Sequence, residues 1–235
     1  MSEIILKMLL LMVGAYVIGS IPTGVIISKK FFGFDIRTQG SKNMGSTNTM
    51  RVLGLKWGIL VQSIDILKGF ASVMLLANLA GNNWNMCAAD SFLNLPILQI
   101  IMGMTAVAGH IFSCFVKFKG GKGINTALGM LIAILPIELG IALGAFTITV
   151  GISGYVSLGS MVGAATLPIV LFLRYNLFNV DIKGYLTLMC FILGFVVLVF
   201  VVHRGNIVRL AKRSENKMEK MQFIKKIVKR NKQMA

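Results

Sequence analysis

"INTALGMLIAILPIELGIALGAFTITVGIS", residues 124–153, decides the fold. It is a single apolar run, interrupted by Pro136 and Glu138. Crossing a bilayer takes about 17–25 mostly apolar residues. As one helix the run crosses once. Broken at the proline it makes two shorter helices, at 124–136 and 139–153, and crosses twice. The side on which everything after it lies depends on which holds.

Five further apolar runs flank it, near 4–27, 57–80, 95–116, 158–173 and 185–202. The chain is 56% hydrophobic and 14% charged, outside the range of soluble domains in both respects. The sequence therefore predicts an all-α, polytopic membrane protein. Charge then chooses the count. Lys29, Lys30, Arg37, Lys42, Arg51 and Lys56 lie in one loop, Lys117, Lys119 and Lys122 in another, and eleven Lys and Arg fall between Arg204 and Lys232. Positive residues stay on the cytoplasmic side. Seven spans, with the N-terminus outside and the C-terminus cytoplasmic, put all three groups there; one span over 124–153 would send the basic tail outside. Five full spans plus a re-entrant pair over 124–153 give the same sidedness. The segment 81–94, with only Asp90, then faces out.

Residues 1–215 read as one membrane domain and 216–235 as a basic tail. In the tail, Phe223, Ile224, Ile227 and Val228 share a helical face, which suits either an anionic leaflet or a solvated extension. The N-terminal run has Glu3 and lacks a small-x-small cleavage site, so it reads as a retained helix. Cys87, Cys114 and Cys190 form no redox or metal spacing. The net charge of +16 brings no recognition helix or stacking platform, which argues against a nucleic-acid partner. Gly140/Gly144 and Gly159/Gly163 have the spacing of close helix contacts.

Four polar clusters interrupt the oil, and the predicted topology puts them on one side. In "DIRTQGSKNMGSTNTMRVLG" (35–54), Gly40 and Gly45 allow backbone N–H groups to converge, Ser41, Thr47 and Asn48 add donors, and Arg51 adds charge. The stretch approaches a Walker A loop but has Ser46 where that motif needs Lys. An oxyanion site and a turn-rich helix cap both fit. In "GHIFSCFVKFKGGKG" (109–123), Gly120, Gly121 and Gly123 bracket Lys122, a phosphate cradle or a basic membrane exit. His110 suits a functional role or a helix-bridging hydrogen bond equally. "GYVSLGS" (154–160) sets Ser157 and Ser160 at a helix start, where one serves as an ordinary N-cap. In "HRGNIVRLAKRSE" (203–215), His203, Asn206 and Arg209 recur every three residues, with Glu215 close by. GxSxG, HExxH and HxxxxD are all absent, which disfavours serine hydrolases, zinc proteases and His–Asp acyltransferases. The expected ligand is anionic. A carrier for a phosphorylated metabolite is the rival; the Pro136 break and the Asp65/Lys68 pair within a span lean that way.

These pieces, with "GSIPTGVIISK", "DILKG" and "HRGNIVRL", occur in an order that resembles the bacterial integral-membrane acyl-phosphate:glycerol-3-phosphate acyltransferases, over nearly all of the chain to about residue 215. The resemblance implies a seven-helix fold with a cytoplasmic active site in a bacterial cell membrane. It implies a fatty acyl phosphate as donor and glycerol 3-phosphate as acceptor; no metal cluster is visible in the sequence, and no motif requires a nucleotide or coenzyme A. It further implies phosphate contacts from Ser41, Asn43, Thr47, Asn48 and Arg51, from Lys122 with the backbone of Gly120, Gly121 and Gly123, and from Ser160. His203 and Asn206 follow, with Glu215 nearby. Lys42, Ser46, Ser113, Gly154 and Arg213 depart from the family's usual residues. Arg51 and Lys122 are the expected stabilisers of transition-state charge, and His203 competes with the leaving phosphate for the transferred proton.

Overall fold

The computed structural model describes residues 2–80, 94–215 and 217, and all regular structure among them is helical. The segment expected to face outward and the amphipathic part of the tail fall outside the described residues, as does Cys87. The helices are α1 (Ser2–Ser20), α2 (Thr23–Phe32), α3 (Ser46–Leu53), α4 (Leu55–Ala71), α5 (Leu95–Ile111), α6 (Ile124–Ile134), α7 (Pro136–Ser153), α8 (Val156–Asn176), α9 (Tyr185–Val202) and α10 (Arg204–Ala211). A π-helical stretch, Ser72–Ala77, continues α4.

Six helical segments are long and apolar enough to cross a membrane: Glu3–Ser20, Leu55–Ala77, Leu95–Val116, Pro136–Ser153, Val156–Asn176 and Tyr185–Val202. The deciding stretch does break. Leu135 precedes proline and is kept out of the helical region (φ −138°, ψ 57°), so α6 stops at Ile134 and Pro136 opens α7. The division differs from the expected one. Pro136 opens the second helix, so α7 gains 136–138 and reaches spanning length at 18 residues, whereas α6 has only 11. The first predicted span needs correcting too. Residues 4–27 are not one helix, because Pro22 cannot continue α1, and a second helix starts at Thr23.

The helices form two compact units, 1–134 and 135–235. In the first, α1 packs on α5, α4 on α6 and α3 on α4. Glycine makes two of these contacts possible. A Cβ on Gly19 would stand 2.0 Å from the Ala106 carbonyl oxygen, and one on Gly69 2.0 Å from that of Thr126. Helix backbones therefore touch, with small residues in place of bulky ridges. The core here includes Leu11, Ala15, Ala77, Leu98 and Met102. In the second unit α7 packs on α8 and α8 on α9. Gly159 and Gly163 face α7, where a Cβ would come within 2.5 Å of Val150 and 3.1 Å of the Ala142 carbonyl oxygen. Among the described residues nothing lies within 4 Å of a Cβ on Gly140 or Gly144.

Each unit also buries charge. Glu138, 1% exposed, pairs with Arg174 across the start of α7 and the end of α8. In the first unit Asp65 (2%) and Lys68 (4%) pair at 2.9 Å. The latter pair sits at the Pro22 break. Lys68 Nζ donates to the Ile21 carbonyl oxygen at 3.1 Å, a cation at the C-terminal end of α1. Thr23, the first residue of α2, donates its hydroxyl to Asp65 at 3.1 Å, which places an anion at that helix's N-terminus. A broken helix thus exposes two oppositely polarised ends, and the ion pair answers both.

Candidate active site

The four polar clusters resolve into two pairs, one in each unit.

In the first unit the 35–54 loop is built around Asn48. Its side chain is 1% exposed. Its Nδ2 donates to the carbonyls of Ile36 (3.2 Å), Gln39 (3.1 Å) and Asn43 (2.8 Å), and its Oδ1 accepts the Ser41 N–H (2.8 Å). Asn48 is the loop's internal brace, with no donor left over. Both of its N–H groups are engaged within the loop, since an amide offers only two. Gly40 (φ 57°) lies against it, 2.3 Å from Asn48 Oδ1 to a built Cβ, so a side chain there is excluded twice over. Asn43 Oδ1 accepts the Gly45 N–H at 2.9 Å, a local Asx turn. Asp35 holds the other end of the loop. It accepts from Arg37 through backbone and guanidinium at 2.8–3.0 Å, and Lys29 lies 3.4 Å away. The Arg37 guanidinium keeps the Asp35 carboxyl well below the usual carboxylate range.

What remains outward is Ser41, Thr47 and Arg51, all exposed, with the Asn43 side chain half-buried. Arg51 has no ion-pair partner among the described residues.

The Gly-rich turn doubles back on the end of α5. Gly120 and Gly121 donate N–H groups to the Ile111 and His110 carbonyl oxygens, both at 3.0 Å. Gly123 needs φ 75°. Lys122 projects from this turn, exposed. The two motifs meet through a residue that sequence reasoning passed over. Asn125, in the first turn of α6, donates to Ser46 Oγ at the first residue of α3, at 2.9 Å. The starts of α3 and α6 are therefore side by side, three residues after Gly-rich Lys122 and five before Arg51. Each presents free backbone N–H groups. Asn125 carried a signal, lying directly after "GGKGI", but a lone Asn at a helix start also reads as a cap.

In the second unit the centre is Glu215. It accepts from Asn206 Nδ2 (2.8 Å), Arg209 Nε (2.7 Å) and Ser157 Oγ (3.0 Å), tying α10 to the start of α8. Asn206, then Arg209 and Ser157, hold the Glu215 carboxyl below its ordinary range. Asn206 and Arg209 are thus engaged internally, and it is Ser157 that joins the network. Ser160, the residue expected to bind substrate, donates to the Val156 carbonyl oxygen in its own helix at 3.0 Å. His203 stands at the bend between α9 and α10, half-buried. Its Nδ1 lies 2.8 Å from the Val199 carbonyl oxygen. A carbonyl only accepts, so Nδ1 carries a proton and donates it to this bond. The same unit holds an apolar cavity of about 350 Å³, with Leu158, Met161, Val162, Phe200 and Ile207 among its walls. No group of three metal-ligating side chains exists among the described residues.

Residues 9–213 match the family described as glycerol-3-phosphate acyltransferase. A glycerol-3-phosphate acyltransferase of Chlorobaculum tepidum is 40% identical over 228 residues, covering 91% of this chain and 97% of the relative. One from Fusobacterium nucleatum is 39% identical, covering 87% and 94%. Among solved structures, PlsY (YgiH), an integral membrane glycerol 3-phosphate acyltransferase, is similar in its glycerol 3-phosphate form. The TM-score is 0.63 and the identity 32%, over 92% of this chain and 98% of that one. Its lysophosphatidic acid form gives 0.65 at 31% identity, with the same coverage. The chain belongs to the glycerol-3-phosphate acyltransferase family.

Proposed function

We propose that this protein transfers a fatty acyl group from an acyl phosphate to glycerol 3-phosphate, releasing phosphate and 1-acylglycerol 3-phosphate for phospholipid synthesis. The observation that carries the reading is the Ser46–Asn125 hydrogen bond. It supports a single anion-binding surface made from two loops, with Arg51 and Lys122 exposed beside two helix N-termini. Two phosphate-bearing substrates call for such a surface, and family membership supplies the reaction class.

An acyl phosphate is a mixed anhydride with an already activated carbonyl. The glycerol 3-phosphate hydroxyl attacks it directly, without an acyl-enzyme. Arg51 and Lys122 stabilise the carbonyl oxygen and the leaving phosphate, assisted by Ser41, Asn43, Thr47 and the backbone of Gly120, Gly121 and Gly123. The leaving phosphate takes the proton, and His203 Nε2 is the alternative acceptor. Ser160 and Asn206 are further substrate contacts, with Glu215 as their organiser. The acyl chain lies along the apolar cavity lined by Leu158, Met161 and Phe200. In the membrane α6 serves as the seventh crossing, with the N-terminus outside, the C-terminus cytoplasmic and the site facing the cytoplasm. Residues 1–215 act as one catalytic domain in the bacterial cell membrane.

The test is purified protein with palmitoyl phosphate and glycerol 3-phosphate, without metal or coenzyme A, following phosphate and lysophosphatidic acid together. Equal release of both supports the reading. Glycerol 3-phosphate binding without turnover would favour a carrier.

A further inference from the structure

The Gly-rich turn rests on His110, and His110 stands before the buried ion pair. Its ring is 3% exposed and Nδ1 lies 3.8 Å from Asp65 Oδ1, the oxygen that also meets Lys68 and Thr23. Among the described residues Nδ1 has no hydrogen-bond partner, so Asp65 is the group that edge of the ring meets. The opposite edge faces the turn. A Cβ on Gly121 would stand 2.1 Å from His110 Nε2, and one on Gly120 2.0 Å from the His110 carbonyl oxygen. Gly121 N–H closes the turn onto that same carbonyl at 3.0 Å. A chain of contacts thus runs from the Pro22 break through Lys68 and Asp65 to His110, then to Gly121 and its neighbour Lys122.

We propose that His110, braced by the Asp65–Lys68 pair, is a positioning residue: its imidazole is the floor that fixes where the Gly120–Lys122 turn, and hence the Lys122 ammonium, stands. The ring does not reach substrate. It sets turn height, and glycine at 120 and 121 is what lets the backbone close on it. This rests on the reading that Lys122 meets a substrate phosphate. Lys122→Ala checks that separately: unchanged Michaelis constants and turnover there would remove the phosphate reading, whatever His110 does.

The test of the positioning role is a mutant cycle. Gly121→Ala is made in the native background, in His110→Gln and in His110→Asn. Gln reaches the Nε2 level and keeps the obstruction; Asn is shorter and relieves it. The readouts are the Michaelis constants for palmitoyl phosphate and glycerol 3-phosphate, kcat, and the melting temperature in detergent. Direct contact predicts strong coupling between neighbours. Gly121→Ala is expected to raise the KM of one substrate about tenfold in the native and Gln backgrounds and about twofold or less in the Asn background, with KM for the other substrate unchanged. An equal penalty in all three backgrounds overturns the proposal, as does a loss that follows the melting temperature with both KM values unchanged. Should His110→Asn fail to fold, His110→Ser removes the same ring edge and takes its place. If Lys122→Ala abolishes binding while the cycle is additive, the phosphate reading stands and the floor does not.

Discussion

The two units handle charge in opposite ways. In residues 1–134 the loop polar groups are spent on one another, as with Asn48 and Asp35, while the cations Arg51 and Lys122 are left outward. In residues 135–215 the cation of the polar cluster is itself spent: Arg209 closes on Glu215, and His203 donates through Nδ1 to the Val199 carbonyl oxygen, leaving Nε2 as the ring's other polar edge. The first arrangement suits holding anions. The second suits presenting a polar edge in a unit that also holds an apolar cavity. On the proposed acyltransferase reading, charge neutralisation and chain lodging fall to different residues.

The sharpest way to break this contrast is to remove the outward cations. Arg51→Ala and Lys122→Ala are each expected to lower kcat/KM about 10²–10³-fold, the usual effect of losing one preorganised transition-state donor. Melting temperatures should hold, since neither side chain is committed to another. If instead Arg209→Ala lost more activity than either, without loss of stability, the division of labour would be reversed. Next in size is Asn48→Ala. It strands the Ser41 N–H and three carbonyl oxygens, and each unsatisfied buried group costs about 1–3 kcal/mol. Limited proteolysis between residues 35 and 54 should accelerate alongside a drop in melting temperature.

Glu215 sharpens the comparison through pH. Its folded pKa is below the unfolded value of about 4.3, so its network stabilises above that value and is lost as pH falls through the lower folded one. Unfolding followed from pH 6 to pH 3, chosen as about one to two units either side of the carboxylate range, should show this acid-side loss. Glu215→Gln should flatten that part of the profile. The smallest expected effect is at His203. If the leaving phosphate takes the proton, His203→Gln lowers kcat by less than about tenfold, whereas a true general base contributes about 10²–10⁴-fold.

How much of this was legible beforehand differs by kind of residue. The long spans were, because twenty apolar residues in a row have few other destinations. The break at Pro136 was also legible, though not how its two sides would share length. Pro22 was overlooked because the apolar run continues through it, and hydropathy does not register a missing N–H. Composition identified Arg51 and Lys122 as candidates because cations are rare in this chain and conspicuous among glycines. It could not separate Asn48, turned inward, from Asn43, or Ser157 from Ser160. Those depend on which way a side chain faces after helices three residues out of phase have packed. Asn125 and Asp65 became informative only once a partner from far along the chain stood opposite.

The brevity of α6 has a consequence for the lipid around it. Eleven residues rise about 16 Å, roughly half the thickness of a bilayer's hydrocarbon. Such a mismatch is met by thinning of the local leaflet or by sinking of the flanking segment. The segment flanking α6 on its N-terminal side is the turn bearing Lys122. With α6 as the proposed seventh crossing, either response brings the Lys122 turn down toward acyl-chain depth, where the proposed acyl phosphate would meet it without its chain leaving the lipid.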